Sequence, residues 1–538
     1  MKHRRTLLCL LTGLCCLFGD MQFASAQDTQ DTQNTQTQGT RQEAREQIFV
    51  SLKDVIDLAL KNNLEISIQQ MNPQMVEQDI LSAESAFDIS AESGVTYTVN
   101  EADSDTSPFG VANLNGGIAR RLQTGTSYSL KLNIDTSLFD GKVTGTTLDP
   151  ATGSAVQYSK DIEDSYETSL KFSLSHPTMK NAGKDVNTTQ IRIARAKRDT
   201  SVSQLQATVI DIVTRVQNAY WDLVNARADL ESARMSLDLA NNLVKINEAQ
   251  VDVGTLAPIE VLAAKAQAAS RNVEVTSAEL AVQTKEDQLR QLLNLSEYDP
   301  LWKAMILPTD QPSESKFSLS LDECIQTALA NREELKQLRN AINIQDISLK
   351  YLQNQMLPEV NLVGGVGVTG KDASLGDSMG GFATADEFNV TVGGSFSYPL
   401  GNRAAKSAYN KANLEMDQTR LSLRNTEQQI AVALRITFRA VETTYSLIQA
   451  TRVARQLAQE QLDAEQKKFN EGLSTNFQVL DYQDKLTQAR TAESQAITSY
   501  NKALVSLAEA MGVTLQQHHI EFESQPVSDT QPPVNNAD

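Results

Sequence analysis

The sequence contains no glycine or proline over two long stretches. Residues 184–253 and residues 402–471 lack both residue types, and each stretch ends at a glycine, Gly254 or Gly472. Because an α-helix rises about 1.5 Å per residue, an unbroken helix of this length would span roughly 105 Å, far beyond the diameter of an ordinary domain. The absence of helix breakers therefore excludes a conventional globular arrangement and predicts two very long helices.

Cysteine and aromatic residues are also scarce. Three of the four cysteines, Cys9, Cys15 and Cys16, lie in the first 26 residues. If that segment is removed, Cys324 has no partner for an intramolecular disulfide, and we expect it to be a small buried apolar residue. Aromatic residues make up only 5% of the chain, which is low for a conventional core of this length.

The chain lacks the motifs of an enzyme or a cofactor site. After residue 26 its histidines are His176, His518 and His519, and it has no zinc-spaced pairs, phosphate loop or nucleophile elbow. We therefore expect no catalytic residues, no metal and no cofactor. The formal net charge of −19 argues against nucleic acid as a partner, because phosphates would be repelled.

The N-terminus has the pattern of a signal peptide. Residues 1–26 combine a basic start, a short apolar run at 7–18 and small residues at 24–26, which favours export and cleavage over a membrane anchor. No later segment has 18 consecutive apolar residues, so no transmembrane helix is expected. Residues 27–47 and 514–538 are polar and are predicted to be disordered.

Between these ends the sequence contains an internal repeat. The motif at residues 50–62 recurs at 319–331, and in both copies a serine stands three positions before an acidic residue, Asp54 or Glu323, as in a capping box. We therefore expect two repeats, each with a helix, strands and two long helices. The predicted bounds are 48–300 for the first repeat (strands about 88–175, long helices 184–253 and 259–299), 301–317 for a linker, and 318–513 for the second repeat (strands about 358–398, long helices 402–471 and 473–511).

The first long stretch carries a heptad pattern. Apolar residues alternate spacings of four and three, which predicts left-handed supercoiling against a partner helix. The predicted seam comprises Leu205, Val209, Ile212, Val216, Ala219, Leu223, Ala226, Leu230, Ala233, Leu237, Ala240 and Val244. On this pattern alone the chain could equally be a rod or a tether.

The strand segments alternate apolar and polar residues in the manner of membrane β-barrels. The apolar sets are Ile89, Ala91, Val95, Tyr97 and Val99; Tyr128, Leu130, Leu132 and Ile134; Leu170, Phe172 and Leu174; Val360, Leu362, Val366 and Val368; and Phe388, Val390, Val392, Phe396 and Tyr398. A half-buried soluble sheet has the same period, so each strand alone is weak support.

A few strands cannot close a barrel, and lipid does not tolerate open edges. A barrel would therefore have to be shared between chains in a cyclic oligomer.

Together these features resemble the TolC-like outer-membrane efflux protein family, the outer membrane factors of tripartite efflux and type I secretion systems. The resemblance covers about residues 48–513. It is carried by the paired opening helices, the strand-to-helix junction at 398–403, and two tip segments at 253–262 and 469–481. The order and duplication of these motifs make it specific.

The resemblance implies an α+β, mainly α fold: a homotrimer whose outer-membrane β-barrel continues as a long periplasmic α-helical coiled-coil barrel. It also implies a passive exit duct that works with a periplasmic adaptor and an inner-membrane transporter. Drugs, metals and secreted proteins all remain open as substrates. The alternative function is a periplasmic coiled-coil scaffold or adaptor without a pore.

The resemblance also implies a periplasmic gate at the tips. Its candidate residues are Asp481, Gln478, Ser474, Glu260 and Phe469. Ser474 and Gln478 replace an arginine and an aspartate of the family pattern, whereas Asp481 matches the second aspartate. Glu260 keeps the acidic charge of its family counterpart, and Phe469 replaces a tyrosine that hydrogen-bonds across the closed tip. Three copies of Asp481 would form an acidic ring that favours cations.

The candidate adaptor-docking residues lie at the same tips. They are Gly254, Thr255, Leu256, Gly472, Leu473 and Ser474.

The strand count departs from the family pattern of four per chain. Residues 117–122 and 126–135 form an extra candidate hairpin in the first half. Because Arg120 and Arg121 are adjacent, one of them would face lipid if the hairpin joined the barrel at mid-bilayer depth. We therefore expect this hairpin to fold outside the membrane.

Overall fold

The structure is a computed structural model that describes residues 47–99, 110–139, 142–151, 153–161, 163–385 and 387–520. The predicted signal peptide at 1–26, the predicted linker before residue 47 and the last part of the predicted tail, 521–538, lie outside the described residues. Within those ranges the chain is mainly helical, with a smaller share of sheet.

The helices and strands follow one another twice in a similar order. The helices are α1 (Leu52–Asn62), α2 (Leu64–Glu84), α3 (Lys184–Asn187), α4 (Thr189–Asp252), α5 (Pro258–Leu293), α6 (Pro300–Lys303), α7 (Leu321–Asn331), α8 (Glu333–Gln355), α9 (Leu375–Thr384), α10 (Arg403–Asn470), α11 (Asn476–Met511) and α12 (Thr514–Gln517). The strands are β1 (Gln47–Val50), β2 (Ile89–Val99), β3 (Gly110–Arg121), β4 (Ser127–Leu138), β5 (Lys142–Leu148), β6 (Ala155–Asp161), β7 (Ser165–Pro177), β8 (Met305–Pro308), β9 (Glu359–Asp372) and β10 (Glu387–Ser397).

Two helical hairpins provide the reach that the sequence predicts. Helices α4 and α10 have 64 and 68 residues, so each extends about 100 Å. Helix α4 packs along α5, and α10 packs along α11. Gly254 and Gly472 have φ angles of 81° and 72° at the two turns. This left-handed conformation is open to glycine without strain, so a glycine ends each long helix.

The predicted heptad seam of α4 is packed. Of its twelve positions, none is exposed, and Val209, Ile212 and Leu223 are completely buried. Towards the tip the buried position shifts from Val244 to Leu243, and Leu243 lies in a small core with residues of α10 and α11.

The segment predicted as a linker, 301–317, is ordered and joins the two halves. It contains α6 and β8, and β8 pairs in parallel with β1. Asp310 in this segment accepts hydrogen bonds from the Leu52 N–H (2.6 Å) and from the Tyr220 hydroxyl (2.7 Å). Burial raises the pKa of Tyr220, so this hydroxyl stays a proton donor.

The first residues of the predicted disordered tail, 514–520, are ordered. Helix α12 occupies its first residues, and Leu515 and Ile520 pack against the hydrophobic core of the first half. His518 Nε2 lies 2.6 Å from the Gln217 amide of α4. The two apolar side chains anchor the segment. The sequence did not predict this, because the tail as a whole is polar in composition.

Six strands form one continuous antiparallel sheet in the order β10-β9-β7-β4-β3-β2. The extra hairpin was expected to fold outside the membrane, but as β3 and β4 it lies in the middle of this sheet, between β2 and β7. The register explains why its arginines are tolerated: Arg120 and Arg121 lie at the end of β3 nearest the helices. There Arg120 Nε donates to the Phe87 carbonyl (2.9 Å), and Arg121 donates to the Asn187 side chain (2.6 Å).

Three elements of the strand region were not predicted from the sequence. Strands β5 and β6 form a separate two-stranded sheet. Helix α9 connects β9 to β10 and is fixed to the sheet by Ser378, whose Oγ donates to the Gly370 carbonyl (2.9 Å). A side chain at Gly370 would collide with the backbone of α9, since its Cβ would lie 2.1 Å from the Ser378 oxygen.

Candidate functional site

The six-stranded sheet has two chemically different faces. Its strands pair residue by residue without a bulge, so alternate residues of every strand share one face. The face that we call the apolar face carries Ile89, Ala91, Val95, Tyr97, Val99, Leu114, Ile118, Leu130, Leu132, Ile134, Leu170, Phe172, Leu174, Val360, Leu362, Val366, Val368, Phe388, Val390, Val392 and Phe396.

The opposite, polar face is dominated by serine, asparagine, threonine and charged side chains. It carries Ser90, Glu92, Thr96, Thr98, Asn113, Asn115, Ser127, Ser129, Lys131, Asn133, Asp135, Glu167, Ser169, Lys171, Ser173, Ser175, Asn361, Thr369, Lys371, Glu387, Asn389, Thr391, Ser395 and Ser397. A cavity of about 680 Å³ opens on this side, and most of its lining residues belong to the polar face. The polar face is therefore concave.

Among the described residues, nothing covers most of the apolar face. Val392 and Val95 are 86% and 79% exposed. Tyr128 lies at the end of the face near the helices, and Tyr166, opposite Thr136, lies at the other end. Thr136 is eight residues beyond Tyr128 on β4, about 27 Å along the strand. Because barrel strands tilt by about 35–45°, this length corresponds to an apolar band roughly 20 Å tall, and an apolar band bordered by aromatic residues is the pattern that suits a lipid bilayer.

Among the described strands, both edges of the sheet are open. Strands β2 and β10 have 11 residues each and pair on one side only. Because all five pairings within the sheet are antiparallel, the two edge strands run in opposite directions. The edges are therefore complementary, so β10 of one chain can pair antiparallel with β2 of another.

At the helical tips the structure gives the predicted gate residue Asp481 a partner. The Lys485 ammonium lies 2.6 Å from its carboxylate, one helical turn along α11. This contact with Asp481 raises the pKa of Lys485. Asp481 is therefore one member of a charge pair and not an unpaired carboxylate.

Two further predicted gate residues stabilise the turn of the second hairpin. Ser474 Oγ lies 2.5 Å from Glu465 Oε1 and 2.9 Å from Gln478 Oε1. Gln478 also completes a capping box with Thr475 at the start of α11. Glu465 is buried and forms an ion pair with Lys468 at 3.0 Å. The Ser474 hydroxyl, followed by the Lys468 ammonium, lowers the pKa of Glu465.

The other two predicted gate residues have different positions. Glu260 contacts the second hairpin, since the Asn476 amide donates to its carboxylate at 3.3 Å and to its backbone carbonyl at 3.4 Å. Phe469 is 6% exposed and packs in a small core with Leu243, Leu462 and other tip residues. It therefore contributes to packing within the chain.

The predicted docking residues form the outermost turns. Gly254, Thr255, Gly472 and Leu473 are exposed, whereas Leu256 and Ser474 are half-buried. Leu473 is 78% exposed. The two turns thus present backbone and apolar side chains beyond the ends of the long helices.

Comparison with known proteins identifies the architecture. The outer membrane efflux protein family matches residues 183–295 and 324–513, which is more than half of the chain. The chain belongs to the outer membrane efflux protein family.

Individual members of this efflux protein family are distant in sequence. The chain is 22% identical to the outer membrane protein TolC of Vibrio cholerae over 333 residues, which is 60% of the chain and 73% of that relative. It is 23% identical to the outer membrane efflux protein BepC of Brucella suis over 322 residues, 58% of the chain and 67% of the relative.

Solved structures of two outer membrane proteins have the same fold. VceC of Vibrio cholerae superposes with a TM-score of 0.60 at 16% identity, covering 86% of the chain and 96% of VceC. The CmeC outer membrane channel of Campylobacter jejuni gives 0.58 at 16% identity, covering 86% of the chain and 85% of CmeC. The efflux protein resides in the outer membrane and has a periplasmic extension.

No helix in the described parts of the efflux protein combines the length and apolar character needed to cross a bilayer. The described residues also contain no cluster of three or more His, Cys, Asp or Glu side chains placed to hold a metal ion. Cys324 is completely buried.

Several functional candidates at the tips of the efflux protein were missed from the sequence. Phe477 and Val253 are 77% and 78% exposed beside the predicted docking residues. Lys485 follows Asp481 by four residues, so helical spacing could have found that pair. Glu465 acts through a contact across a turn, and Asn476 acts through a contact between the two hairpins. Neither contact leaves a local signal in the sequence.

Proposed function

We propose that this protein is the exit duct of a tripartite efflux or type I secretion system. It conducts substrates passively across the outer membrane, and an inner-membrane transporter with a periplasmic adaptor supplies the energy and the substrate. The observation that carries the proposal is the single sheet with one lipid-suited face, one polar face and two complementary open edges.

The open edges support closure with other copies. Lipid offers no partner for unpaired backbone groups, so the edges at β2 and β10 must pair within a closed ring. Three chains of six strands would close an eighteen-stranded barrel, and barrels of 16–18 strands enclose an aqueous channel. The β3–β4 hairpin thus widens the barrel beyond the twelve strands that four per chain would supply.

A stripe of exposed apolar residues on α10 supports the homotrimer. Apolar side chains recur on this helix at spacings of mainly 4, 7 and 11 residues, which place them along one side. They are Leu414, Leu421, Val432, Ile436, Leu447, Val453 and Leu457, all between 46% and 70% exposed in the single chain. In the ring, this stripe packs against the helices of the next copy.

The two halves of the chain are proposed to be structural repeats. Both open with a capping box, at Ser51 and at Ser320. Asn181 and Asn402 are both left-handed at the two junctions between strand and long helix. The repeats place two hairpins in each chain and six in the trimer, which form the periplasmic tunnel.

The tips serve as docking site and gate in this proposal. The exposed Leu473 and Phe477 offer apolar contacts to the adaptor, beside Gly254 and Gly472. Three Asp481–Lys485 pairs form a ring of mixed charge at the narrow end, in place of the purely acidic ring expected from the sequence.

Extraction and conductance test the proposal together. We expect the protein to leave outer membranes only with detergent and to give discrete conductance steps in a planar lipid bilayer. A pore-free scaffold or adaptor would instead be released by salt or lysozyme and would give no conductance, and that result would refute the exit-duct proposal.

The same recordings test the gate. Removing the Asp481 carboxylate leaves three lysines, so Asp481→Asn is expected to weaken block by a trivalent cation several-fold. Lys485→Gln unmasks the carboxylate and is expected to strengthen the block. If both variants keep the wild-type sensitivity, these residues do not line the gate.

A further inference from the structure

Two lysines stand side by side on the polar face of the sheet. Lys131 of β4 and Lys171 of β7 are directly opposite each other in the register, and both are exposed. Neighbouring β-strands lie about 4.8 Å apart, so the two ammonium groups share one location on this face. We call them the lysine pair.

Sheet stability does not account for the lysine pair. Like charges placed directly opposite each other on neighbouring strands are destabilising. Four residues along the same two strands, Asp135 stands opposite Glu167, a second like-charged pair. Glu167 faces Lys371 on its other side, and this attraction offsets the repulsion between Asp135 and Glu167. Lys131 and Lys171 instead face glycines on their other sides, so no residue directly opposite them offsets their repulsion.

The residues beside the lysine pair are glycines, which leave space around the two side chains. In the same row of the sheet, Gly117 lies beside Lys131 and Gly367 lies beside Lys171. A Cβ at Gly117 would lie 3.1 Å from Lys131 Cγ and 2.9 Å from the Leu130 carbonyl oxygen. Glycine at 117 therefore makes room for the stem of Lys131 over the sheet.

Neither ammonium group is neutralised by a close partner. Among the ion pairs formed within the described residues, none includes Lys131 or Lys171. Both lysines line the cavity of about 680 Å³ on the concave polar face, together with Glu92, Ser129 and Ser173. The site thus combines hydroxyl donors with two ammonium groups that have no ion-pair partner among the described residues, in an open concavity.

We propose that the lysine pair is a weak binding site for anionic groups of solutes in transit through the barrel. This inference rests on the proposed function, because the concave face must be the lumen. In a trimer, six lysines and three copies of Glu92 would occupy one level, leaving a net positive belt. The ligands are carboxylates, phosphates or sulfonates carried by the exported solute.

Weak binding suits a conduit. A charged ring raises the local concentration of counter-charged solute, while conduction requires that the solute also leaves. The lysine pair lies within the membrane part of the chain, remote from the Asp481–Lys485 pairs at the tips. The two ends of the duct therefore act on solutes independently.

Block of single-channel current by tripolyphosphate tests the inference. The anion is added to each chamber in turn, and the concentration for half block is compared among variants. We expect the Lys131→Ser/Lys171→Ser double variant to require at least about tenfold more tripolyphosphate from the barrel side. The Lys131→Arg/Lys171→Arg variant should be blocked like the wild type, since it keeps the charge.

Lys371→Ser is the matched control, because Lys371 lies on the same face but directly opposite Glu167. Its half-block concentration should stay within about twofold of the wild type. Equal sensitivity of the double serine variant and the wild type, or an equal loss in Lys371→Ser, would overturn the lysine-pair proposal. A folded trimer that gives no conductance at all would refute instead the channel function on which the inference rests.

Discussion

Three polar residues at the tip of the second hairpin act within their own turn. Ser474, Gln478 and Glu465 form one hydrogen-bonded group around the turn at Gly472. The residue types at 474 and 478 differ from the family pattern that the sequence resembles. The structure gives them a local role, stabilising the turn that is proposed to meet the adaptor.

The lowered pKa of Glu465 predicts how the tip responds to acid. A carboxyl whose pKa is lower in the folded state stabilises that state above its unfolded pKa, and the contribution is lost as the pH falls through the folded pKa. The turn should therefore be stable at neutral and weakly acidic pH and loosen in stronger acid.

Ser474→Ala tests this link, because it removes the largest contribution to the lowered pKa. We expect amide hydrogen exchange at residues 471–478 to be about fivefold faster at neutral pH. The loosening in acid should also begin at a higher pH. Ser422→Ala on the shaft of α10 serves as the control, and unchanged exchange in Ser474→Ala would contradict the proposed role.

The sequence alone reveals some of these residues and hides others. Asp481 is visible as a charged tip residue, and Lys485 is visible through its spacing. Asn476 is not, because its contact with Glu260 joins residues 216 positions apart. The lysine pair was also missed, because Lys131 and Lys171 become neighbours only through the register of β4 and β7.

At the scale of elements, the long helices were the most predictable part. The lack of glycine and proline and the regular seam from Leu205 to Val244 are local signals, and α4 and α10 follow them. The strand count was not predictable. Arg120 and Arg121 argued against a membrane strand, because the sequence does not show that they lie at the end of β3 and not in its middle.

Helix α10 has two apolar sides with different expected roles. Leu434 is completely buried within the chain, whereas Ile436 is 63% exposed on the proposed contact with the next copy. Leu434→Ala should lower the free energy of unfolding by about 2–5 kcal/mol, measured by denaturant titration followed by circular dichroism.

Ile436→Glu should leave the helix content unchanged but shift the particle mass in detergent from trimer towards monomer.

Glu442→Ala is the control for both variants, since Glu442 is an exposed polar residue on the same helix. An Ile436→Glu variant that stays fully trimeric would contradict the contact proposed for α10.

At the scale of the whole molecule, the proposed conduit requires three copies of a chain whose sheet has two open edges. Each chain supplies a curved sheet with β2 and β10 unpaired on one side, and two hairpins of about 100 Å. The sequence predicts the reach and the need for a shared barrel. It does not predict the width, since that depends on β3 and β4 joining the sheet.

Cross-linking between the edge strands tests the central claim most directly. Thr96→Cys on β2 and Thr391→Cys on β10 place two thiols on the polar face near opposite edges, while the native Cys324 is completely buried. The contact is head-to-tail, so each single variant should stay monomeric in denaturing gels after treatment with a short bifunctional maleimide. The double variant should give covalent dimers and trimers and nothing larger. Monomers alone from the double variant, or dimers from either single variant, would contradict a barrel closed by β10 of one chain and β2 of the next.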